Sequence, residues 1–466
     1  MKELLISLEH NGGIPLYEQI YQYIKTEIAD GKIIAGEKLP SSRALSRQLS
    51  VSRSTVDLAY EQLESEGYLE SRPCIGHFAC DIEGFVQVEP NKGKTSQAPK
   101  RRREGYSIDF AVNGIDPGGF PQNIWRKISR QVLSDEDAGM FQLGDSQGEW
   151  KLREAIASYL HHARGVEAVA EQIVVGAGND YLLMLLSMLL GKSSKIAMEN
   201  PSYDNAWRCF RSLGHEVVSI PLDEAGMKPS ELEESGARIA YVMPSHQFPM
   251  GMVMPLKRRL QLLAWAKRQS GRYLIEDDYD SEFRYIGKPI PALQGYDQHE
   301  TVIYIGTFSK AIAPSIRISY MVLPATLLQQ YRELGSNFSV TISKVDQKII
   351  EIFLREGYFE RHLNRMRALY KGKHDLILKN LKDMTSICQV FGENAGVHLL
   401  LKLKNGMTEE EACRLAKEAG IKVYPLLAYF PDCRQAGDGE GILLGYATLK
   451  EDEIQRGMNI LKEVWS

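Results

Sequence analysis

The chain of 466 residues is 44% hydrophobic and 25% charged, the composition of an ordinary soluble globular protein with room for two or three domains. Its formal net charge of −4 identifies no partner by itself. Six scattered cysteines without C-x-x-C spacing argue against a disulfide or zinc framework, and we expect no bound metal. No apolar run of about 18 residues and no signal peptide is found, so we expect a cytoplasmic protein outside the membrane.

Three helices are predicted in the first eighty residues. Apolar residues recur at four-residue steps over 16–28, which indicates an amphipathic helix of about four turns. Ser41 or Ser42 can cap a second helix over 41–49, and a third helix is expected over 52–67. Two helices joined by such a short turn have the geometry of a helix-turn-helix.

The third helix begins with residues suited to DNA. A recognition helix meets base edges and phosphates with its N-terminal end, so Arg53 is the candidate for a guanine edge. Ser52, Thr55, Arg43 and Arg47 are candidates for phosphate contacts. A solvated basic turn on a small helical bundle would carry the same charges, so charge alone does not decide between the two interpretations.

A longer string is more specific. Leu39-Pro-Ser-Ser-Arg-Ala-Leu-Ser-Arg-Gln-Leu-Ser-Val-Ser-Arg-Ser-Thr-Val56, followed by Ala59-Tyr60 and Glu66-Gly67-Tyr68-Leu69, resembles the winged helix of the GntR family. The resemblance implies a DNA-binding domain over 1–80, in which two short strands over 68–79 form the wing. Cys74-Ile75-Gly76-His77 replaces a more glycine-rich wing tip, which leaves the wing's contact with DNA open.

Residues 81–105 are predicted to be a flexible basic linker. The run from Asn91 to Gly105 combines Gly, Ser and Pro with like charges and has almost no large apolar residue to bury. Six basic residues and no acid lie between Lys92 and Arg103. These charges can approach DNA phosphates, although a merely solvated linker fits the same composition.

Residues 106–466 alternate short apolar runs with amphipathic helices. This pattern predicts an α/β domain in which a mixed or parallel sheet is covered by helices, with functional residues at the carboxyl ends of the strands. Helices are expected between the strands, for example over 180–190 and 255–270. The strand candidates are 172–175, 195–198, 217–220, 239–242, 273–275 and 302–305.

Residues that carry chemistry follow several of these strands. Gly176-Ala-Gly-Asn179 opens a helix, where backbone N–H groups favour a phosphate. Tyr203 can stack on a planar ring, although an aromatic core residue is the default interpretation. The run Glu276-Asp-Asp-Tyr-Asp280 places four acids within five positions, which is costly unless the acids bind something cationic.

The last of these strands leads into Gly306-Thr-Phe-Ser-Lys310, with Arg317 seven residues further on. A lysine just past a strand end can bond covalently to an aldehyde cofactor, while hydroxyls and an arginine take a phosphate. A surface lysine at a strand–loop junction fits this stretch equally well when the stretch is taken alone.

Taken in order, these segments resemble the fold-type I aminotransferases of the aspartate aminotransferase class, which use pyridoxal 5′-phosphate (PLP). The resemblance covers essentially all of 106–466 and implies a small C-terminal subdomain at about 340–466. With the winged helix, the whole chain is similar to the MocR/GabR-type regulators, a GntR subfamily. Supporting matches are Phe120-Pro121…Trp125, Gly144-Asp-Ser-Gln-Gly148…Leu152-Arg153, Pro244-Ser-His-Gln-Phe-Pro-Met-Gly251 and Arg361-His…Arg365-Met-Arg367…Tyr370.

The resemblance also implies roles for individual residues. Lys310 would be the catalytic lysine that bonds to PLP, and Asp277 would pair with the pyridine nitrogen. Tyr279 would bond the phenolic oxygen and Tyr203 would stack on the ring. The phosphate would be held by Gly178, Asn179, Ser309 and Arg317. A homodimer on a double-stranded operator is the implied assembly.

Three departures from the aminotransferase pattern bear on function. Phe248 stands where an asparagine usually precedes the Pro-x-Gly turn. The arginine that clamps a substrate α-carboxylate is not evident, because apolar residues fill 441–446; either Arg434 replaces it or the effector is not a standard α-amino acid. Asn205 occupies the position of a basic residue in GABA-responsive members, which makes GABA a poor first candidate.

Two functions from different classes fit the sequence. The first is a PLP-dependent, DNA-binding transcription regulator that senses PLP or an amino compound through its aminotransferase-like domain. The alternative is an active aminotransferase with an accessory DNA-binding domain. Both need Lys310, and they differ in whether the site completes both half-reactions. The missing carboxylate clamp favours a regulator, including one whose effector is PLP itself.

Overall fold

The chain divides into two compact units, residues 1–102 and 103–466. The sequence-based domain boundaries at 80, 105 and about 340 stay predictions, and nearly all of the predicted linker lies outside the described residues. The computed structural model describes residues 4, 6–9, 13–73, 75–81, 105–134, 138–191, 193–285, 287, 290–335, 338–431 and 440–466.

The first unit packs three helices against a two-stranded hairpin. Its elements are α1 (Leu16–Ala29), α2 (Ser42–Leu49), α3 (Arg53–Ser65), β1 (Leu69–Arg72) and β2 (Gly76–Ala79). Ser41, rather than Ser42, caps α2: its Oγ accepts a hydrogen bond from the Ala44 amide at 3.2 Å. Ser52 caps α3 in the same way. The predicted three helices and wing are confirmed.

The second unit contains a large mixed sheet and a smaller antiparallel sheet. Its strands are β3 (Ile108–Asp109), β4 (Ile173–Gly176), β5 (Lys195–Asn200), β6 (Glu216–Asp223), β7 (Gly226–Met227), β8 (Ile239–Val242), β9 (Tyr273–Asp278), β10 (Val302–Thr307), β11 (Ser319–Val322), β12 (Cys388–Phe391), β13 (His398–Leu403), β14 (Ile421–Lys422), β15 (Tyr424–Pro425) and β16 (Ile442–Gly445). Its helices are α4 (Gln122–Ser134), α5 (Trp150–Arg164), α6 (Asn179–Leu189), α7 (Asp204–Ser212), α8 (Pro229–Glu234), α9 (Leu256–Lys267), α10 (Ala325–Gly335), α11 (Lys344–Arg355), α12 (Tyr358–Leu381), α13 (Glu409–Glu418) and α14 (Glu451–Val464).

The large sheet has the strand order β4-β11-β10-β9-β8-β5-β6-β7. Strands β10, β9, β8, β5 and β6 are parallel, whereas β11 runs antiparallel to both its neighbours and β7 runs antiparallel to β6. Every strand candidate from the sequence lies in this sheet, so the predicted mixed sheet is confirmed. The parallel arrangement brings the carboxyl ends of β5, β8, β9 and β10 to one edge.

Helices cover both faces of the sheet, as parallel strands require. On one face, leucines of α6 pack with Ile196, Tyr241 and Ile303. On the other face, α5, α11 and the start of α12 pack against Val175 and Tyr304. Because β8 is buried along its whole length, its sequence is a continuous apolar run rather than an alternating one.

The smaller sheet has the order β12-β13-β16-β15 and shares a core with α12, α13 and α14. Two glycines join it closely to the rest of the unit. A Cβ added to Gly251 would lie 2.6 Å from the Cα of Gly392, so the two backbones touch without intervening side chains. Both glycines have positive φ, which adds strain to any substitution. Within the described residues, none of the helices combines the length and the hydropathy that a membrane span requires.

Candidate functional site

Most of the predicted cofactor residues line one cavity at the carboxyl edge of the large sheet. They are Asn179, Tyr203, Asp277, Tyr279, Ser309, Lys310 and Arg317. Asn113, Met243, Phe248 and Thr307 also line this cavity. A larger cavity between α5 and the start of α12 contains none of the predicted residues. The candidate site is therefore the smaller cavity, because the chemically useful groups converge there.

Lys310 follows β10 and lies within this cavity. Its Nζ donates a hydrogen bond to the carbonyl oxygen of Val112 at 3.2 Å. Burial lowers the pKa of Lys310 to about 8, although the nearby Asp280 carboxylate acts in the opposite direction. A larger fraction of the amine is therefore neutral near physiological pH, which makes Lys310 a competent nucleophile toward an aldehyde.

Asp277 lies near the end of β9 and is 4% exposed. Its Oδ2 accepts hydrogen bonds from the Tyr241 hydroxyl and from Asn179 Nδ2, the latter at 3.2 Å. Burial raises the pKa of Asp277 to about 6, and these two hydrogen bonds oppose the rise. A cationic group beside the carboxylate would favour its ionised form, which is what a protonated ring nitrogen would provide.

The acidic run around Asp277 is divided between the two faces of the sheet. Glu276 accepts hydrogen bonds from the Leu293 and Gln294 amides at 2.7 and 2.8 Å. Asp278 accepts hydrogen bonds from Arg164 Nε at 2.8 Å and from the Tyr304 hydroxyl at 2.6 Å. Side chains alternate along a strand, so these two acids accept hydrogen bonds on the other face of the sheet while Asp277 faces the cavity.

The start of α6 meets Ser309 and Arg317 in this cavity. Gly178 is the N-cap of α6, has a φ of 87° and makes no side-chain capping bond. A Cβ at Gly178 would collide with the Arg317 guanidinium, so a glycine is needed where the two meet. Arg317 Nη2 donates to Asp180 Oδ2 at 2.8 Å.

The Ser309 hydroxyl gives a direct test of whether PLP fits. Its Oγ is buried and has no hydrogen-bond partner among the described residues. An unpartnered buried hydroxyl is costly, and a phosphate at the uncapped start of α6 would satisfy it. The donor set at this end of the cavity therefore fits the phosphate of PLP, while Lys310 and Asp277 fit its aldehyde and ring nitrogen.

A carboxylate clamp is not found in the described part of this cavity. The cationic side chains in the described lining are Lys310 and Arg317. Ile442, Leu443 and Leu444 are fully buried in β16, and Arg434 lies outside the described residues. Asn205 Nδ2 donates to the Tyr203 hydroxyl at 3.2 Å, so it is engaged with the tyrosine predicted to stack on the cofactor.

The predicted DNA-binding residues lie on α2 and at the start of α3. Arg43 and Arg47 are exposed on α2. The Arg53 side chain is 69% exposed, and its Nε lies 3.4 Å from Asp57 Oδ2. Ser52 Oγ lies 2.7 Å from Thr55 Oγ1, so these two hydroxyls are bonded to each other as part of the cap. The three arginines are thus accessible, and the two hydroxyls shape the start of α3.

Sequence reasoning missed Asn113 in the cavity lining and two polar residues that contact lining residues. Tyr241 bonds Asp277 from a neighbouring strand, and His246 contacts Tyr279. Tyr241 lies in a predicted strand with no motif around it, so only knowledge of the strand order would have identified it. His246 lies in the Pro244–Gly251 motif, so its place in that motif could have identified it as a residue near the site.

Comparisons with known proteins cover both units. Residues 16–78 match the family described as bacterial regulatory proteins, gntR family, and residues 108–457 match aminotransferase class I and II. The chain is 38% identical over 461 residues to the uncharacterized HTH-type transcriptional regulator YhdI of Bacillus subtilis, with 98% of this chain and 97% of the relative covered. It is 30% identical over 479 residues to the probable rhizopine catabolism regulatory protein MocR of Rhizobium meliloti, covering 99% and 96% respectively. An archaeal alanine:glyoxylate aminotransferase structure matches with a TM-score of 0.69 at 26% identity, covering 77% of this chain and 90% of that chain.

Proposed function

The chain belongs to the GntR family of bacterial regulatory proteins and, as a MocR-type HTH transcriptional regulator, carries an aminotransferase class I and II domain; from this premise we propose that it binds PLP and senses an amino compound. The observation that supports this proposal is the convergence of Lys310, Asp277 and the unpartnered Ser309 hydroxyl in one cavity.

Each side chain has a proposed task. Lys310 would hold the aldehyde of the cofactor, Asp277 would hold the ring nitrogen, and Tyr279 would donate to the phenolic oxygen. Tyr203 covers one face of the ring. The phosphate is held by Gly178, Asn179, Ser309 and Arg317. When bound, PLP supplies an aldehyde that a primary amine can take over from Lys310.

Sensing requires less of the protein than turnover does. For sensing, an incoming primary amine would displace the Lys310 amine from the aldehyde carbon, so this chain need supply only Lys310 as the amine that is released. Transamination additionally needs the substrate's Cα–H bond to be aligned, and an α-carboxylate clamp supplies much of that alignment. In the described lining, Lys310 and Arg317 are already assigned to the aldehyde and the phosphate. We therefore propose slow or absent turnover, with a coupling free energy of about 1–3 kcal/mol to operator binding.

The deciding experiment combines three measurements on the full-length protein. A panel of amines and PLP is titrated while the visible spectrum and the affinity for operator DNA are followed, and multiple-turnover kinetics are run with a keto-acid acceptor. We expect one amine to change both the spectrum and the DNA affinity without appreciable turnover. Turnover at about 1 per second or faster would favour the aminotransferase alternative. A change of DNA affinity with PLP alone would identify PLP as the effector.

We also propose a homodimer. A two-fold symmetric protein matches an operator made of paired half-sites, and a dimer lets each subunit supply one winged helix. Light scattering at micromolar concentration with PLP present should give twice the monomer mass of 52.6 kDa. A monomeric mass under these conditions would contradict the proposal.

A further inference from the structure

A pair of buried side chains behind Tyr279 has no role in the proposed function so far. His246 and Asp280 are 2% and 1% exposed, and neither lines the cavity. His246 Nδ1 lies 2.9 and 3.1 Å from the two carboxylate oxygens of Asp280. The same Nδ1 lies 3.0 Å from the hydroxyl oxygen of Tyr279, which does line the cavity. The pair therefore reaches the cofactor site through Tyr279.

The partners of His246 determine where its proton lies. An ionised carboxylate only accepts hydrogen bonds, so Nδ1 of His246 carries a proton that points toward Asp280. The Tyr279 hydroxyl lies against both members of the pair: its oxygen is 3.0 Å from His246 Nδ1, and it also interacts with the Asp280 carboxylate. Burial, together with the charge of Asp280, raises the pKa of Tyr279 well above its ordinary value and keeps the phenol protonated.

The pair is also held rigidly. A Cβ at Gly396, which precedes β13, would collide with His246 Cε1 and would lie 2.9 Å from Asp280 Oδ2. The Gly396 backbone thus lies directly against both side chains. The His398 ring lies 5.2 Å from the His246 ring and limits its movement from the same side.

The second ring nitrogen of His246, Nε2, is evidence that the contacts of Nδ1 explain why a histidine occupies this position. In the described part of the chain this buried nitrogen has no hydrogen-bond partner. Leaving such a group unpaired is unfavourable, and an apolar residue of similar size would avoid the cost. A histidine at this position is therefore better explained by the contacts of its Nδ1 than by packing alone.

We propose that His246 and Asp280 are positioning residues that orient the Tyr279 hydroxyl as a hydrogen-bond donor toward the phenolic oxygen of PLP. This inference rests on the proposed binding of PLP and adds a control over the electronic state of the bound cofactor. Phe248, which lines the cavity from the same segment as His246, has no polar group to offer there. The two residues act through Tyr279 and do not touch the cofactor themselves.

The test uses the visible absorption spectrum of the full-length protein reconstituted with PLP at one fixed pH. His246→Leu removes Nδ1, whereas His246→Asn retains an N–H near the position of Nδ1. We expect His246→Leu to shift the ratio of the two absorbing protonation forms by about tenfold, the effect of losing an oriented hydrogen bond to a charged group. We expect His246→Asn to restore the ratio to within about threefold of wild type.

Two further variants separate positioning from general destabilisation. Tyr279→Phe should reproduce the His246→Leu spectrum, and the double variant should add little, because both changes remove one interaction. His374→Leu is the matched control. His374 is 4% exposed, its Nδ1 lies 3.3 Å from Asp375, and its Nε2 also lacks a partner among the described residues. It packs on Tyr285 outside the cavity lining, and its substitution should leave the spectrum unchanged.

Each outcome decides the question. An unchanged spectrum in His246→Leu, no restoration in His246→Asn, additivity with Tyr279→Phe, or an equal change in His374→Leu would each overturn the inference while PLP binding stands. A wild-type protein that does not bind PLP would overturn both proposals. If His246→Leu does not fold, His246→Gln replaces it with the same expectation, because its amide lies near Nε2 rather than Nδ1.

Discussion

The two units place their candidate residues in opposite environments. In the N-terminal unit, Arg53 is 69% exposed and Arg43 and Arg47 also face solvent. In the second unit, Asp277 is 4% exposed and the pKa of Lys310 is lowered by burial. Exposed charges act in high dielectric and are screened by salt, whereas buried groups act through desolvation and a few fixed partners. Substitutions in the two units should therefore differ in size and in salt dependence.

The largest effect is expected at Lys310. Lys310→Ala removes the amine that we propose bonds to PLP, so borohydride reduction should no longer fix the cofactor to the protein. Mass spectrometry after reduction measures this loss directly. Lys151→Ala, at an exposed position on α5, is the control and should retain full labelling. Covalent PLP in Lys310→Ala would show that another residue forms the bond.

The next effect is expected at Asp277 and depends on pH. The pKa of Asp277 is raised by burial to about 6, above the value of about 3.9 in an unfolded chain. The folded state therefore binds the proton more tightly, and stability falls as pH rises from about 4 to about 6. Asp277→Asn should remove this loss and gain up to about 3 kcal/mol over the PLP-free wild type above pH 6.

Urea unfolding of both PLP-free proteins at several pH values measures this difference. The gain should shrink as pH falls through the same window and disappear below about pH 4. The same substitution should weaken PLP binding, because a neutral amide replaces the charged partner of the ring nitrogen. A stability difference independent of pH would mean that Asp277 is not the group responsible.

A smaller effect is expected at Arg53. Arg53→Ala should cost about 1–3 kcal/mol of affinity for the cognate operator and relax base preference at one position, if Arg53 reads a guanine edge. Binding assays with operator variants measure both quantities.

Arg43→Ala and Arg47→Ala serve as the comparison for Arg53. Both should weaken all DNA sequences alike and reduce the salt dependence, since we expect these residues to contact phosphates. If Arg53→Ala behaves in the same uniform way, the assignment of Arg53 to a base edge is wrong although the unit binds DNA.

Local signals made most of the fold predictable. The helices of the first unit follow from apolar spacing, and a serine at position 52 is a typical N-cap residue for the third of them. The choice between Ser41 and Ser42 depends on backbone conformation, which the sequence leaves open. The position of β11 between β4 and β10 was not predictable, because strand order depends on contacts between distant segments.

The residues of the candidate site also divide into those that local sequence predicts and those that depend on contacts between distant segments. Lys310, Asp277 and Tyr279 were predicted because each lies in a recognisable string at a strand end. Tyr241 was missed because its partner Asp277 lies 36 residues away in the chain. The acidic run was interpreted as binding something cationic, yet Glu276 and Asp278 accept hydrogen bonds from partners on the other face of the sheet. Such pairings become visible only once the strands are assembled.

The contact between Gly251 and Gly392 has a mechanical consequence. Two backbones that touch without side chains leave no compressible layer at this one point between the loop after β8 and the end of β12. Leu400 and Leu443 of the smaller sheet share a core with the large sheet, so hinge opening would expose apolar surface, whereas sliding keeps that surface covered. We therefore expect any motion of the smaller sheet to be a sliding motion past Gly251. Its amplitude should be small, because only Gly251 and Gly392 allow the two backbones to approach so closely.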